Sequence, residues 1–262
     1  MVENKQKYWA IILGGSSGLG LASAKKLAQD GFNICIVHRN ARSEMAEILQ
    51  EFEKIKSQNI SFVNFNLDAL NIDSQQKIIS EFKEVLGEAK VKILVHSIAK
   101  GNLKAMVSEG DSILSSDDFM ITFQAMAVSL YDWTQLLFQN KLFAEDARII
   151  AFTSEGSSKP WKYYAAVSAA KASLEAISRS IALEFAPFGI KCNCIQAGVT
   201  NTRSLQMIPG SENLIKNSIE RNPNKRLTTP EDVANVVSLL CKDEANWITG
   251  NIIPVDGGEH LQ

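Results

Sequence analysis

Along the 262-residue chain, short apolar runs alternate with longer stretches in which apolar positions recur every three or four residues. The runs fall at 8–13, 33–38, 60–66, 91–97, 148–153, 190–196 and 251–255. Most are almost wholly apolar, as expected of parallel strands covered on both faces. The longer stretches, at 18–30, 43–57, 71–86, 116–140, 163–185 and 230–241, have the period of amphipathic helices. Strand–helix alternation with short connections predicts right-handed crossovers and a doubly wound α/β sheet with helices on both faces.

No repeat, low-complexity tract or Pro/Gly linker interrupts this rhythm, so residues 1–262 read as one domain. Two connections are irregular. Residues 198–229 carry Pro209-Gly210 and Pro223, with only a weak helix around 211–221. So long a connection in a compact fold is expected to be a lid or substrate-binding loop. The stretch 99–116 follows the fourth strand. Both leave strand carboxyl ends, where open α/β sheets bind their ligands.

Composition narrows the picture by exclusion. An apolar content of 45% supports a sizeable core. With 27 basic and 29 acidic residues, the chain lacks the basic excess of a nucleic-acid-binding surface. Its polar start, and the absence of any apolar run near the roughly 18 residues of a membrane span, predict a cytoplasmic protein without a membrane partner. Cys35, Cys192, Cys194 and Cys241 lie in apolar patterns and read as buried, reduced thiols. Cys192 and Cys194 would sit about 7 Å apart on one strand face, too far for an unstrained disulfide. Three scattered histidines offer no metal site.

Directly after the first strand comes Gly14-Gly15-Ser16-Ser17-Gly18-Leu19-Gly20, which feeds a helix. Gly14 permits a tight turn, Gly18 a close backbone approach to a diphosphate, and Gly20 close helix–strand packing. The helix amides and dipole attract the phosphates, so the segment is a candidate dinucleotide site. The second strand ends in His38-Arg39-Asn40-Ala41-Arg42, where an NAD site usually carries an acid. The two arginines suit a 2′-phosphate, favouring NADPH over NADH, and otherwise read as solvated loop residues. Asp68, past the third strand, reads either as an acceptor for the adenine amino group or as a plain loop aspartate.

The fourth strand ends in His96-Ser97-Ile98-Ala99, and the fifth in Thr153-Ser154-Glu155-Gly156 ahead of a helix with Tyr164 and Lys171. Seven residues make about two helical turns, so Tyr164 and Lys171 share a face, whereas Tyr163 points about 80° away. An ammonium beside a tyrosine lowers its pKa from about 10 and favours phenolate.

These segments in this order, with Gln196-Ala197-Gly198 and the tail Thr249-Gly250-Asn251-Ile252-Ile253-Pro254-Val255-Asp256-Gly257-Gly258, resemble the short-chain dehydrogenase/reductase family over essentially the whole chain. The resemblance implies a seven-stranded parallel Rossmann sheet, a nicotinamide cofactor and a homotetramer. The family's usual Tyr-x3-Lys is absent, because Val167 stands four before Lys171. Tyr164-x6-Lys171, His96-Ser97-Ile98-Ala99, Ala197-Gly198 in place of Pro-Gly, and Lys171-Ala172-Ser173-Leu174-Glu175-Ala176 resemble the enoyl-acyl-carrier-protein reductases of bacterial fatty-acid synthesis. That implies reduction of trans-2-enoyl thioesters linked to acyl carrier protein or coenzyme A. Tyr164 would stabilise the enolate at the thioester carbonyl, and Lys171 would hold the nicotinamide ribose.

The shifted tyrosine has a mechanistic reading. In ketone reduction the hydride lands on the carbonyl carbon, whereas in enoyl reduction it lands two carbons away, at C3. Charge still collects on the carbonyl oxygen, so the hydroxyl must stand farther from the hydride donor. A displacement of nearly one helical turn, about 5 Å, accommodates this.

Many enoyl reductases carry a second tyrosine at the position of Ser154, and serine stands there in a divergent NADPH-using branch. Ser154 also matches the catalytic serine of ordinary ketoreductases, so it either positions the carbonyl or caps the strand end. Gln124 falls where the family places a structural or relay asparagine, and reads as part of a wall. Ala197, Gly198, Thr200 and Thr202 would pass the nicotinamide. Leu205, Met207, Ile208, Leu214 and Ile215 would either line an acyl pocket or form a helix packed on the body. A carbonyl reductase and a non-catalytic dinucleotide sensor are the alternatives.

Overall fold

The structure, a computed structural model, describes residues 7–109 and 112–262. Most of the polar start, and two positions of the 99–116 stretch, lie outside the described residues. In chain order the elements are β1 (Tyr8–Leu13), α1 (Gly18–Gln29), β2 (Asn33–His38), α2 (Met45–Lys56), β3 (Phe62–Asn66), α3 (Ile72–Leu86), β4 (Lys90–His96) and α4 (Ser116–Phe123). There follow α5 (Ser129–Gln139), β5 (Phe143–Ser154), α6 (Ala165–Glu184), β6 (Ile190–Ala197), α7 (Arg203–Gln206), α8 (Ser211–Arg221), α9 (Pro230–Leu240) and β7 (Ile252–Val255).

The strands form one seven-stranded sheet in the order β3-β2-β1-β4-β5-β6-β7, and every neighbouring pair is parallel. The continuous apolar runs are explained by burial on both faces. Trp9, Ile11 and Leu13 of β1 enter a core with Ile78, Phe82, Leu130, Trp133 and Leu174 from α3, α5 and α6. The alternate residues Ala10 and Ile12 enter a second core with Leu27, Phe52 and Val237 from α1, α2 and α9. A period of two with both phases apolar is what a doubly covered strand requires. All four cysteines are free and buried.

The structure departs from the sequence expectations at three places that matter for the site. The single helix expected over 116–140 is two helices joined by a wide π turn, Gln124–Val128. The extra residue in that turn brings Ala125, Met126 and Ala127 inward in succession and leaves Gln124 outside. The helix expected from 163 begins at Ala165, because Tyr163 takes φ +65° and breaks the helical path. Tyr164 is therefore the N-cap residue of α6 rather than a member of its first turn. In the loop 198–229 the helix expected around 211–221 forms as α8, but a further short helix, α7, precedes it. No helix among the described residues is long and apolar enough to cross a membrane.

Candidate active site

Sheet order reverses direction between β1 and β4, and the glycine-rich turn sits at that switch point. Gly14 has φ +79°, and a Cβ there would lie 2.5 Å from the Ser97 carbonyl oxygen. A Cβ on Gly20 would lie 2.4 Å from the Gly14 carbonyl oxygen. The turn, the start of α1 and the end of β4 thus meet at backbone contact. Ser17, the N-cap of α1, makes no side-chain cap bond, and the first turn carries no acid. Its amides and the positive helix end are left for an anion, and Ser17, Gly18 and Leu19 line the adjoining cavity. These residues fit a dinucleotide diphosphate.

The tip of β2 is arranged differently from the expectation. His38 is buried, its Nδ1 2.9 Å from Asn40 Oδ1 and its ring edge-on to Phe52 at 5.5 Å, so it offers no exposed group. Arg39 is exposed and ion-paired to Asp68. Asp68 Oδ1 also accepts the Leu70 amide at 2.9 Å. Burial opposes its ionisation, but the Leu70 and Arg39 bonds together hold the Asp68 carboxyl below its usual range. Asp68 is thus engaged by protein groups rather than standing open as an adenine acceptor. Ser16, Gly20, His38, Arg39 and Asp68 do not line the cavity. A strand-tip motif shows which residues are near a site, but not which way each side chain turns.

A cavity of about 250 Å³ runs from the glycine turn under the 198–229 loop. It brings together Gly14, Ser97, Ile98, Ala99, Ser154, Tyr164, Lys171, Ala197, Gly198, Thr200 and Thr202 from separate parts of the chain. Tyr163 stands exposed outside it. The Thr200 hydroxyl donates to the Gly198 carbonyl at 2.9 Å, and Thr202 caps α7 by accepting the Leu205 amide. Leu205, Met207, Ile208 and Leu214 line the cavity as one of the two readings had it, but Ile215 does not. Gln124 is no wall: it is exposed and donates to Asp132 at 3.0 Å.

Tyr164 is the polar member of a third apolar cluster, with Met126, Val167 and Ala170 buried and Leu103, Trp161 and Ile208 packed against them. The Trp161 ring lies 5.1 Å from the Tyr164 ring. Ser154 Oγ is buried beside it, without a partner of its own in regular hydrogen-bond geometry. Burial pushes the Tyr164 hydroxyl up, and the neighbouring Ser154 hydroxyl opposes this in part. The expected lowering by Lys171 is not found: the Ser154 hydroxyl alone opposes the effect of burial. Lys171 is itself buried, donates to the Phe152 carbonyl at 2.7 Å, and is drawn down to about 8 by burial.

Sequence reasoning missed a charged cluster on the cavity wall. Arg221, at the end of α8, donates to Glu155 at 2.6 Å and to Glu259 at 2.8 Å. It ties the loop to the end of β5 and to the C-terminal turn. These residues are separated by tens of positions and form no motif. Trp161 and Met126 were also unmarked, and only the apolar character of each residue hinted at a wall.

The model of the family described as enoyl-(acyl carrier protein) reductase matches residues 14–260. The chain is 29% identical to a 7α-hydroxysteroid dehydrogenase of Paraclostridium sordellii, over 99% of this chain and 93% of that protein. It is 28% identical to the NADPH enoyl-acyl-carrier-protein reductase of Staphylococcus aureus, over 99% and 98% of the two chains. The crystal structure of the NADH enoyl-acyl-carrier-protein reductase from Aquifex aeolicus shares the fold, with a TM-score of 0.83 at 24% identity over 97% of each chain. The chain belongs to the short-chain dehydrogenase/reductase family, in the group described as enoyl-(acyl carrier protein) reductase, and is a pyridine-nucleotide oxidoreductase of that family.

Proposed function

We propose that the chain is an NADPH-dependent enoyl-thioester reductase that saturates the trans-2 double bond of a carrier-linked acyl chain. The observation that carries this reading is the placement of one hydroxyl. Tyr164 is the tyrosine of the cavity, while Val167, four before Lys171, is an apolar part of the same wall. A ketone-reducing tyrosine would stand where Val167 does.

In this reading Ser16, Ser17, Gly18 and Leu19 hold the diphosphate, and Gly14 and Gly20 give the turn the close packing that places them. Ser97, Ile98, Ala99, Ala197, Gly198, Thr200 and Thr202 flank the nicotinamide. Arg39 faces the 2′-phosphate, which would draw it from Asp68. When bound, the nicotinamide supplies the hydride that adds to C3 of the enoyl group. Tyr164 donates a hydrogen bond to the thioester carbonyl and stabilises the charge that collects there, and the enolate takes a proton from solvent at C2 to complete the saturation. Its raised pKa suits that task, since a hydroxyl that keeps its proton at neutral pH remains a donor. Leu103, Met126, Trp161 and Ile208 exclude water and receive the acyl chain. Ser154 steadies the tyrosine or the carbonyl. Thioesters of acyl carrier protein or coenzyme A, one reductase domain over 1–262, a cytoplasmic setting and a homotetrameric assembly belong to the same reading.

The steroid dehydrogenase relative and the serine beside the tyrosine favour carbonyl reduction as the second reading. Replacing Tyr164 with Phe distinguishes a chemical from a structural role. Turnover is expected to fall about 10²–10³-fold, the loss typical of removing one oxyanion donor. NADPH binding, followed by fluorescence, is expected to stay near that of the parent. Undiminished turnover would contradict the assignment of Tyr164.

A further inference from the structure

Lys171 and Glu175 are both buried, 8% and 9% exposed, and stand four residues apart on α6. Residues at that spacing share a helix face, with Cβ atoms about 5–6 Å apart. Consecutive residues of β5 hold their two ends. The Phe152 carbonyl accepts from Lys171 Nζ at 2.7 Å, and the Thr153 hydroxyl donates to Glu175 Oε1 at 2.5 Å. Of the three donors of the lysine ammonium, one is committed to Phe152, which leaves two for a ligand in the cavity.

Few other charges can balance this ammonium. From β4 it faces His96, which burial draws down to about 3, so that the ring is neutral at ordinary pH. From β6 it faces Cys194, whose thiol burial pushes up to about 11, so that it too is neutral. At the N-cap of α6, Tyr164 keeps its proton, and on the helix Arg179, which acts on Cys194, carries a charge of the same sign as the lysine. β5 presents only the Thr153 hydroxyl and the Phe152 carbonyl to the pair. Two groups oppose the effect of burial on Lys171, Cys194 first and then Glu175. Cys194 does so only as a thiolate, which its raised pKa keeps for alkaline solution, so Glu175 is the group of opposite sign that remains below that.

We propose that Glu175, oriented by Thr153, is a positioning residue that keeps Lys171 an ammonium in the cofactor cavity. This rests on the reading of Lys171 as the holder of the nicotinamide ribose. It predicts a dependence on pH that a merely structural glutamate would not produce. NADPH binding to the full-length protein, measured by fluorescence from about pH 6 to pH 9, is expected to weaken as Lys171 loses its proton near pH 8. In Glu175→Gln that limb is expected to move down by about one unit, giving about fivefold weaker binding near pH 8, close to tenfold near pH 9, and near-parental binding near pH 6. Glu175→Asp is expected to restore much of the limb, and Thr153→Val to move it in the same direction as Glu175→Gln. Lys171→Met is expected to abolish the limb.

Superimposable profiles for Glu175→Gln and the parent would overturn the proposal, as would an equal loss at every pH. If Glu175→Gln does not fold, Thr153→Val decides, since an unmoved limb in that variant overturns the proposal as well. Persistence of the limb in Lys171→Met would instead contradict the ribose role of Lys171, and would remove the basis of the proposal with it.

Discussion

At the end of β4, His96 is fully buried, with Nε2 2.7 Å from the Ser129 hydroxyl. Because that hydroxyl donates to the Ala125 carbonyl at 2.8 Å, the ring nitrogen is the donor and Nδ1 bears the lone pair. Nδ1 is buried with no partner among the described residues. Burial first, and then the Lys171 charge, hold the folded pKa near 3. The unfolded chain binds a proton near pH 6.5 that the folded chain refuses. Stability contributed by the neutral ring is therefore complete above about pH 6.5 and is lost as pH falls toward 3. Between about pH 6 and pH 5, where few carboxylates titrate, unfolding free energy is expected to fall by about 1.4 kcal/mol per pH unit. Urea titrations of His96→Asn are expected to show a flatter slope in that window, and an unchanged slope would contradict the account.

At the same scale, what could be read from the sequence depended on how strongly backbone constrains side chain. Tyr164 and Lys171 share the cavity as the spacing predicts, but the helix starts only at Ala165, and the outward turn of Tyr163 belongs to its φ of +65° rather than to helical spacing. His38 turns inward and Asp68 bonds protein groups, as its reading as a loop aspartate allowed, because a strand tip imposes no side-chain direction. There the choice is made by local hydrogen-bond partners, such as Asn40, Asn64 and the Leu70 amide.

Among the elements, every strand was expected near its place, since burial on both faces leaves an unmistakable apolar run. Helix ends were nearly as clear where capping chemistry is explicit. At α9, Thr229 accepts the Asp232 amide at 3.2 Å while Asp232 accepts the Thr229 amide at 2.8 Å, with Pro230 at the first helical position. Thr229→Ala is expected to cost about 1 kcal/mol of stability, seen as a lower urea midpoint at constant slope. A midpoint equal to that of the parent would mean that the cap is not supporting α9. The π turn between α4 and α5 left no comparable signal. Its residues, Gln124–Val128, are ordinary helix formers, and only packing against α6 shows why three in succession turn inward. That packing also sends Gln124 outward, which no reading of spacing could reveal.

For the whole molecule, the parallel order β3-β2-β1-β4-β5-β6-β7 brings the ends of β1, β4, β5 and β6 together around one cavity. This assembly follows from topology, and topology was implied by strand–helix alternation. The walls were less accessible: Arg221, Glu155 and Glu259 meet across the loop through contacts that span the chain. The position of the tyrosine within this cavity ties the fold to the chemistry proposed for it. The most direct test follows NADPH oxidation by the purified protein with crotonyl- or dodecenoyl-thioester, and separately with acetoacetyl-thioester. Turnover of the enoyl substrates with little or none of the ketoacyl one, faster with NADPH than with NADH, is the predicted result. Turnover of the acetoacetyl-thioester alone would contradict enoyl reduction and assign the shifted tyrosine to carbonyl chemistry.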